Sequence, residues 1–438
     1  MFKTIRNAFK VKELKNKLLY TFMMLVVIRF GSALPIPGVR TDFFANWFAK
    51  QTTDVFGFFN AMTGGSFSQM SIFALSITPY ITSSIIIQLL TIAIPKLEEL
   101  QKDGEDGRKK IQEYTRYVTV GLALIESSAM AIGFGRQGLL ADYNAWNIIV
   151  AIVTMTTGSA LLMWIGEQIT DKGVGNGISI VLLLNILSSV PSDIRNLYFK
   201  FVFGQDIPVA ALRLAIVVLV IVAMVVFVIV LNDAERRIPV QYSKKMVGRK
   251  LVGGQASSIP LKVNTAGVMP VIFASSIMSF PVVISQFIPA MQQGWSGHLM
   301  KLLNSGSWCR PSEPIYSIGL LVYIILIVLF AYFYTSIAFN PLEVANNMKK
   351  QGGFIPGIRP GKPTSEYLNK ILNYIVFIGA VGLIVVCVVP VIFSGLFDMS
   401  RISFSGTSLI IIVGVVLETI KAIESQMLVR YYKGFLND

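Results

Sequence analysis

The residues that could do chemistry in this chain sit in unusual places. Glu126, in the stretch LALIESSAM, is the one acidic residue near the centre of a long apolar run, and Arg29 lies inside another. Ionisable groups within membrane-spanning segments are costly and are functional suspects by default. Glu126 would suit an ion-coupling relay or a structural place at the edge of a helix bundle; Arg29 would snorkel or pair. Glu167, Asp171 and Glu418 fall toward the ends of their runs. Intramembrane hydrolysis lacks its parts, because there is no HExxH, no pair of mid-run aspartates, and only His298 as an imidazole base. The serines of SFSQMSIF have no general base at hand. Cys309 falls in a loop and Cys387 in an apolar run, which makes neither a disulfide framework nor a metal site. The glycines of GVGNG are not a phosphate loop, since no strand precedes them and no Gly-Lys-Ser/Thr comes after. No catalytic residue, metal or cofactor is expected.

The elements that carry these residues are long and apolar. Of 438 residues, 54% are hydrophobic and 14% charged, too apolar for a soluble protein of this length. Ten runs are close to the length that crosses a bilayer. They are Leu18–Ile36, Ser71–Ile94, Val118–Phe134, Trp146–Ile169, Ile178–Val190, Ala211–Leu231, Ala266–Ile288, Ile315–Phe339, Ile371–Phe393 and Ser408–Met427, the fifth being short. The N-terminal MFKTIRNAFKVKELKNK lacks a cleavage site, so no removable signal peptide is expected. The net charge of +14 is uneven. Most basic residues cluster in the N-terminal segment, Pro95–Tyr117, Asn232–Thr265, Asn340–Asn369 and the C-terminal segment. Those segments lie on one side of a ten-span topology, which makes that side, and both termini, cytoplasmic.

The two basic loops at 232–265 and 340–369 exceed what topology needs and are rich in Gly and Pro. They read as solvated topology anchors or as a docking platform for an acidic or nucleic-acid partner. DVFGFFNAMTGGSFSQ, on the outer side, is aromatic but too short to span, and Gly64-Gly65 separates it from the second apolar run. It would lie at the interface or fold back into the bundle. Five spans precede the Pro191–Ala210 loop and five come after it.

Several stretches together resemble the bacterial SecY family. They are ALPIPG (33–38), SIFALSITPYITSSIIIQLL (71–90), GEQITDKGVGNGISI (166–180), LKVNTAGVMPVIFASSI (261–277), FNPLEVANNMKKQGGFIPGIRPGKPT (339–364) and RYYKGFL near the end. The resemblance implies an all-α polytopic membrane protein of ten transmembrane helices. They would form two pseudo-symmetric five-helix halves, residues 1–200 and 201–438, around a central pore in the bacterial cytoplasmic membrane. It implies a subunit that passes unfolded preproteins across the membrane and releases membrane segments sideways into lipid. Its partners would be SecE- and SecG-like subunits, the SecA ATPase, the ribosome, signal sequences, nascent polypeptides and anionic lipids.

Matching to the family assigns a pore ring to Ile77, Ile81, Ile178, Leu182, Ile272 and Ile411. Ile77/Ile81 and Ile178/Leu182 are each four apart and share a helical face. A plug at about 55–67 would carry Phe56, Phe58, Phe59, Met62, Gly64 and Gly65, and a lateral gate Thr82, Gln88 and Phe280. Arg249, Lys250 and Arg359 would dock the motor or ribosome. GEQITDKGVGNGISI would then be the tight cytoplasmic turn between spans four and five. Glu126 stands where the family leads one to expect an uncharged residue. A secondary transporter would share the helices and broken segments, but should offer polar groups at the midplane; a poreless scaffold is the third reading.

Overall fold

In the computed structural model the described residues are 6, 8–42, 44, 60, 62–136, 138–201, 203, 206–242, 245–247, 250–252, 256–287, 294–309, 313–397 and 406–434. Backbone polar groups in lipid must be satisfied within the segment, so each apolar run becomes a helix. One helix falls on each of the ten runs: α1 (Lys12–Ser32), α2 (Thr78–Ala93), α4 (Glu105–Gly135), α5 (Ala145–Lys172), α6 (Gly177–Phe201), α7 (Ile207–Asp233), α8 (Met269–Phe287), α10 (Ile318–Ala338), α12 (Lys362–Phe397) and α13 (Gly406–Gly434). Shorter helices α3 (Pro95–Lys102), α9 (Gly294–Leu303) and α11 (Pro341–Lys350) lie between them.

Among the described residues, six helices are long and apolar enough to cross a membrane by themselves, and α2 with α3 would make a seventh as a broken span bent by 107°. The bend falls at Pro95, where Ile94 before it is extended, as the pre-proline position requires. α1 and α13 are the right length, but Lys12, Glu13, Lys15, Lys17 and Arg29 interrupt the first, and Glu418, Lys421 and Glu424 the second. The side chains that would meet lipid are large and apolar; Leu219 on α7 is 69% exposed and Phe22 on α1 66%.

The helix boundaries depart from the sequence expectation in three places. The fifth span is not short: α6 has 25 residues and runs through Pro191. The second span begins late. Residues 62–77 are a chain of turns, with Met70 and Ser76 at φ 44° and 52°, and α2 starts only at Thr78 with Pro79 in its first turn. The third begins well before its apolar run, at Glu105 in the basic segment.

The basic loops are not merely irregular, so the molecule is not purely helical. β1 (Glu235–Tyr242), β2 (Lys245–Val247), β3 (Lys250–Val252) and β4 (Ala256–Lys262) come from the first loop, and β5 (Gly353–Phe354) from the second. β1 pairs antiparallel with β4, Ile238 opposite Ile259, and with β5 on its other edge, Gln241 opposite Phe354. The two loops therefore share one sheet. Ile238 and Val240 point inward from β1 onto Met348, Leu368 and Ile371 of α11 and α12, the period-two alternation of a half-buried strand.

Deeper, the buried residues of one core come, among the described residues, from α7, α8, α10, α12, α13 and the Trp308 segment, with Phe273 and Phe330 edge-to-face at 5.5 Å. A second is built from residues 36–155, around Phe44, Phe67 and Phe134. A third joins both parts of the chain.

Candidate functional site

That third core contains all six residues expected at the waist. Ile77, Ile81, Leu182, Ile272 and Ile411 are buried in it, and Ile178 is half-buried against it. Four helices deliver them. Ile77 caps α2 and its carbonyl accepts from the Ile81 amide at 3.1 Å, so the pair keeps helical spacing although Ile77 precedes the helix. Ile178 and Leu182 lie one turn apart on α6. Ile272 lies in the first turn of α8, and its amide donates to the Val268 carbonyl at 3.2 Å. Ile411 lies near the start of α13. Branched aliphatic side chains converging from four helices bind no solute and coordinate no ion; they can exclude water.

Met62 enters the same core and is 7% exposed. The turn that carries it is tightly self-bonded. The Asn60 carbonyl accepts from the Gly65 amide at 2.9 Å and its side-chain oxygen from the Ser68 amide at 2.9 Å. Gly64 sits at φ 66°, which an L side chain adopts only at a cost. Its carbonyl accepts from Arg29 Nη1 at 2.9 Å and lies 3.0 Å from Ser188 Oγ, whose one proton is shared with the Asn185 carbonyl at 2.7 Å. Alongside, Asn185 of α6 donates through Nδ2 to Ser76 Oγ at 2.9 Å. Phe56, Phe58 and Phe59 lie outside the described residues. Sequence reasoning singled out Arg29 and Gly64 separately but missed their pairing, and it missed Ser188 and Asn185 altogether. The only sequence signals were a cation within a span and a glycine pair 35 residues on.

Thr82 and Gln88 are half-buried on α2, where Thr82 Oγ1 donates to its own helix at the Thr78 carbonyl. Phe280 is in α8, but its side chain lies outside the described residues. α4 touches α8, and Ile85 of α2 packs against both the 224–417 core and the core that joins the two parts of the chain. Arg359 is exposed between Gly357 and Gly361, and its carbonyl accepts from Thr364 Oγ1 at 2.8 Å. Arg249 lies outside the described residues; Lys250 opens β3, its side chain likewise outside them.

GEQITDKGVGNGISI resolves into two helix ends and a short turn. α5 continues through Lys172, so the polar GEQITDK stretch is helical rather than part of the turn. Asn176 caps α6, its side-chain oxygen accepting from the Ile178 and Ser179 amides at 3.1 and 3.4 Å. Val174, 1% exposed, is held by Ala8 and Leu14 of the N-terminal segment and Ile423 of α13. Glu167 is buried and paired with Arg116 of α4 at 2.9 Å, with Gln112 Nε2 at 3.1 Å. Glu126 is half-buried on α4. Among the described residues no group of three or more His, Cys, Asp or Glu is placed to hold a metal ion.

Helices on all ten apolar runs, a basic sheet-bearing face and an aliphatic waist define a polytopic helical membrane protein. The SecY family model matches residues 71–420. Protein translocase subunit SecY of Streptomyces scabiei is 43% identical over the whole of both chains, and that of Halalkalibacterium halodurans 42%. Two solved structures share the fold. One concerns the plug domain of SecY, with TM-score 0.62, 17% identity and 94% of this chain and 92% of that one covered. The other is Sec61 in a canine ribosome-channel complex, with TM-score 0.59, 15% identity and 94% and 92% covered. The chain belongs to the SecY family.

Proposed function

We propose that the chain is the central subunit of a protein translocase, a channel through which unfolded polypeptides cross the cytoplasmic membrane. The observation that carries this reading is the convergence of Ile77, Ile81, Ile178, Leu182, Ile272 and Ile411 into one aliphatic core with Met62. Such a waist excludes ions by dewetting and still parts around a moving chain, because no directional bonds hold it. A solute carrier would need polar or charged groups at this depth. Residues 1–200 and 201–438 act as two halves that open like a clamshell, a reading supported by cores that draw on one part of the chain each. The seam between them, with Thr82 and Gln88 on one side and Phe280 on the other, is the exit for signal sequences and membrane segments into lipid.

The chain performs no catalysis of its own in this reading. A partner supplies the energy, either a SecA-like ATPase or a translating ribosome, docking on the shared sheet and on Arg249, Lys250 and Arg359. Small SecE- and SecG-like subunits and anionic lipids complete the assembly, with both termini cytoplasmic.

The test is resting conductance across a planar bilayer. Ile272→Asn or Ile411→Asn places an amide in the waist, wets it and raises ion leak. Properly inserted variants that conduct no more than the parent would remove the assignment.

A further inference from the structure

We propose that Arg29 and Ser188 form a latch that holds the Asn60–Ser68 turn, and with it Met62, in the waist. The inference rests on the pore reading above and adds the residues that set how firmly the resting channel stays shut.

The turn is closed on itself through Asn60, Thr63 and Gly65. The Phe67 amide donates to Thr63 Oγ1 at 3.2 Å and Ser68 Oγ to the Gly65 carbonyl at 3.0 Å, so it moves as one body. Among the described residues, the polar ties from 60–66 to the surrounding helices both end on one atom. Gly64 O accepts from Arg29 of α1 at 2.9 Å and from Ser188 of α6 at 3.0 Å, the single Ser188 hydroxyl proton being shared with the Asn185 carbonyl of its own helix at 2.7 Å. The backbone at Gly64 makes this possible. Its φ lies in the left-handed region, and the approach to α6 is close: a Cβ there would stand 2.7 Å from Ser188 Oγ and 3.0 Å from Asn185 Cα.

Arg29 is the stronger arm. Its guanidinium is always charged, and hydrogen bonds from ionised donors are roughly twice as strong as neutral ones. Among the described residues no carboxylate lies within ion-pair distance of it, and the Gly64 carbonyl is its hydrogen-bond acceptor. Ser188 stands six residues beyond Leu182 on α6, about 9 Å further along the axis. The latch therefore lies just past the aliphatic waist, on the side from which the turn enters. α1 and α6 both belong to the first half, so releasing Met62 requires the turn itself to leave these donors.

The test places a cysteine on the turn and asks how often it is free. Ser66 is suitable, being 1% exposed with a hydroxyl that has no partner. Ser66→Cys is made with Cys309→Ser; Cys387 is buried and stays. Inserted channels are treated with a membrane-impermeant maleimide from the outer side, and conductance is recorded in parallel. Arg29→Met and Ser188→Ala should each raise the labelling rate and the leak, Arg29→Met by roughly tenfold, the weight of one charge-assisted hydrogen bond. Arg29→Lys, which keeps a cationic donor, should lie between it and the parent. Ser188→Ala removes one small hydroxyl and serves if Arg29→Met inserts poorly. Parent-like labelling in both variants overturns the latch, even if leak rises, because another route would then be open. Raised labelling without leak, in a series where Ile272→Asn also fails to leak, supports the latch contact and sinks the pore reading instead.

Discussion

At the scale of single residues, the arrangement of charge is most telling at Glu167. Its side chain is 8% exposed and its partner Arg116 44%. Burying a carboxylate is tolerable only because Arg116 and Gln112 meet it; removing one partner of such a pair strands the other. Arg116→Met should destabilise the protein by about 1–3 kcal/mol, below the about 3–5 kcal/mol of a fully buried broken pair because Arg116 is half open to solvent. Adding Glu167→Leu should restore most of the loss. Thermal unfolding in detergent reads both, and an Arg116→Met variant that melts like the parent would show that the pair holds nothing. The sequence placed Arg116 in a loop and Glu167 near a span end, and no spacing rule joins residues 51 positions apart on different helices.

At the scale of elements, the α5–α6 corner depends on contact between backbones. A Cβ on Gly177 would run into the carbonyl oxygen of Gly166, while the Gly177 amide donates to Thr170 Oγ1 at 2.9 Å. Gly177→Ala should therefore push α6 off α5 and cost about 1–3 kcal/mol, as overpacking does. Because α6 carries Ile178 and Leu182 immediately after the corner, resting leak should rise in the same variant. A normal melting temperature with normal leak would show that the corner yields without consequence. The run GVGNG marked a turn correctly. Its residues did not reveal that α5 extends to Lys172, or that Asn176 serves as a helix cap. Those outcomes depend on Val174 being clasped by the N-terminal segment and α13, neighbours far away along the chain.

For the whole molecule, the sheet joining β1, β4 and β5 makes one platform of two loops that are widely separated in sequence. A motor bound there would press on α7 and α8 through the first loop and on α11 and α12 through the second. Reversing charge at one position in each of the two loops, Arg249→Glu with Arg359→Glu, should lower preprotein translocation by about tenfold or more, since like charges facing a partner cost several kcal/mol. Melting should stay within about 0.5 kcal/mol of the parent, as expected for solvated surface charges. Full transport and unchanged partner affinity in the double variant would place docking elsewhere.

The sequence by itself determined the ten apolar segments and the basic side. Hydrophobic length and Lys/Arg asymmetry are local properties that lipid and membrane potential read directly. Its motifs also picked out six aliphatic residues that fold into one core, although nothing in their chemistry separates them from any other isoleucine or leucine in a span. Only the tertiary structure decided where irregular backbone is tolerated. Residues 71–77 belong to the second apolar run, yet they turn, with Ser76 at φ 52° and its hydroxyl met by Asn185 of α6, beside the Gly64 carbonyl that Arg29 and Ser188 meet. The β-pairing of the two basic loops was equally hidden, since a strand of two residues such as Gly353–Phe354 exists only when β1 is already beside it. Both depend on partners brought together by folding, and a one-dimensional pattern holds no record of which distant groups will meet.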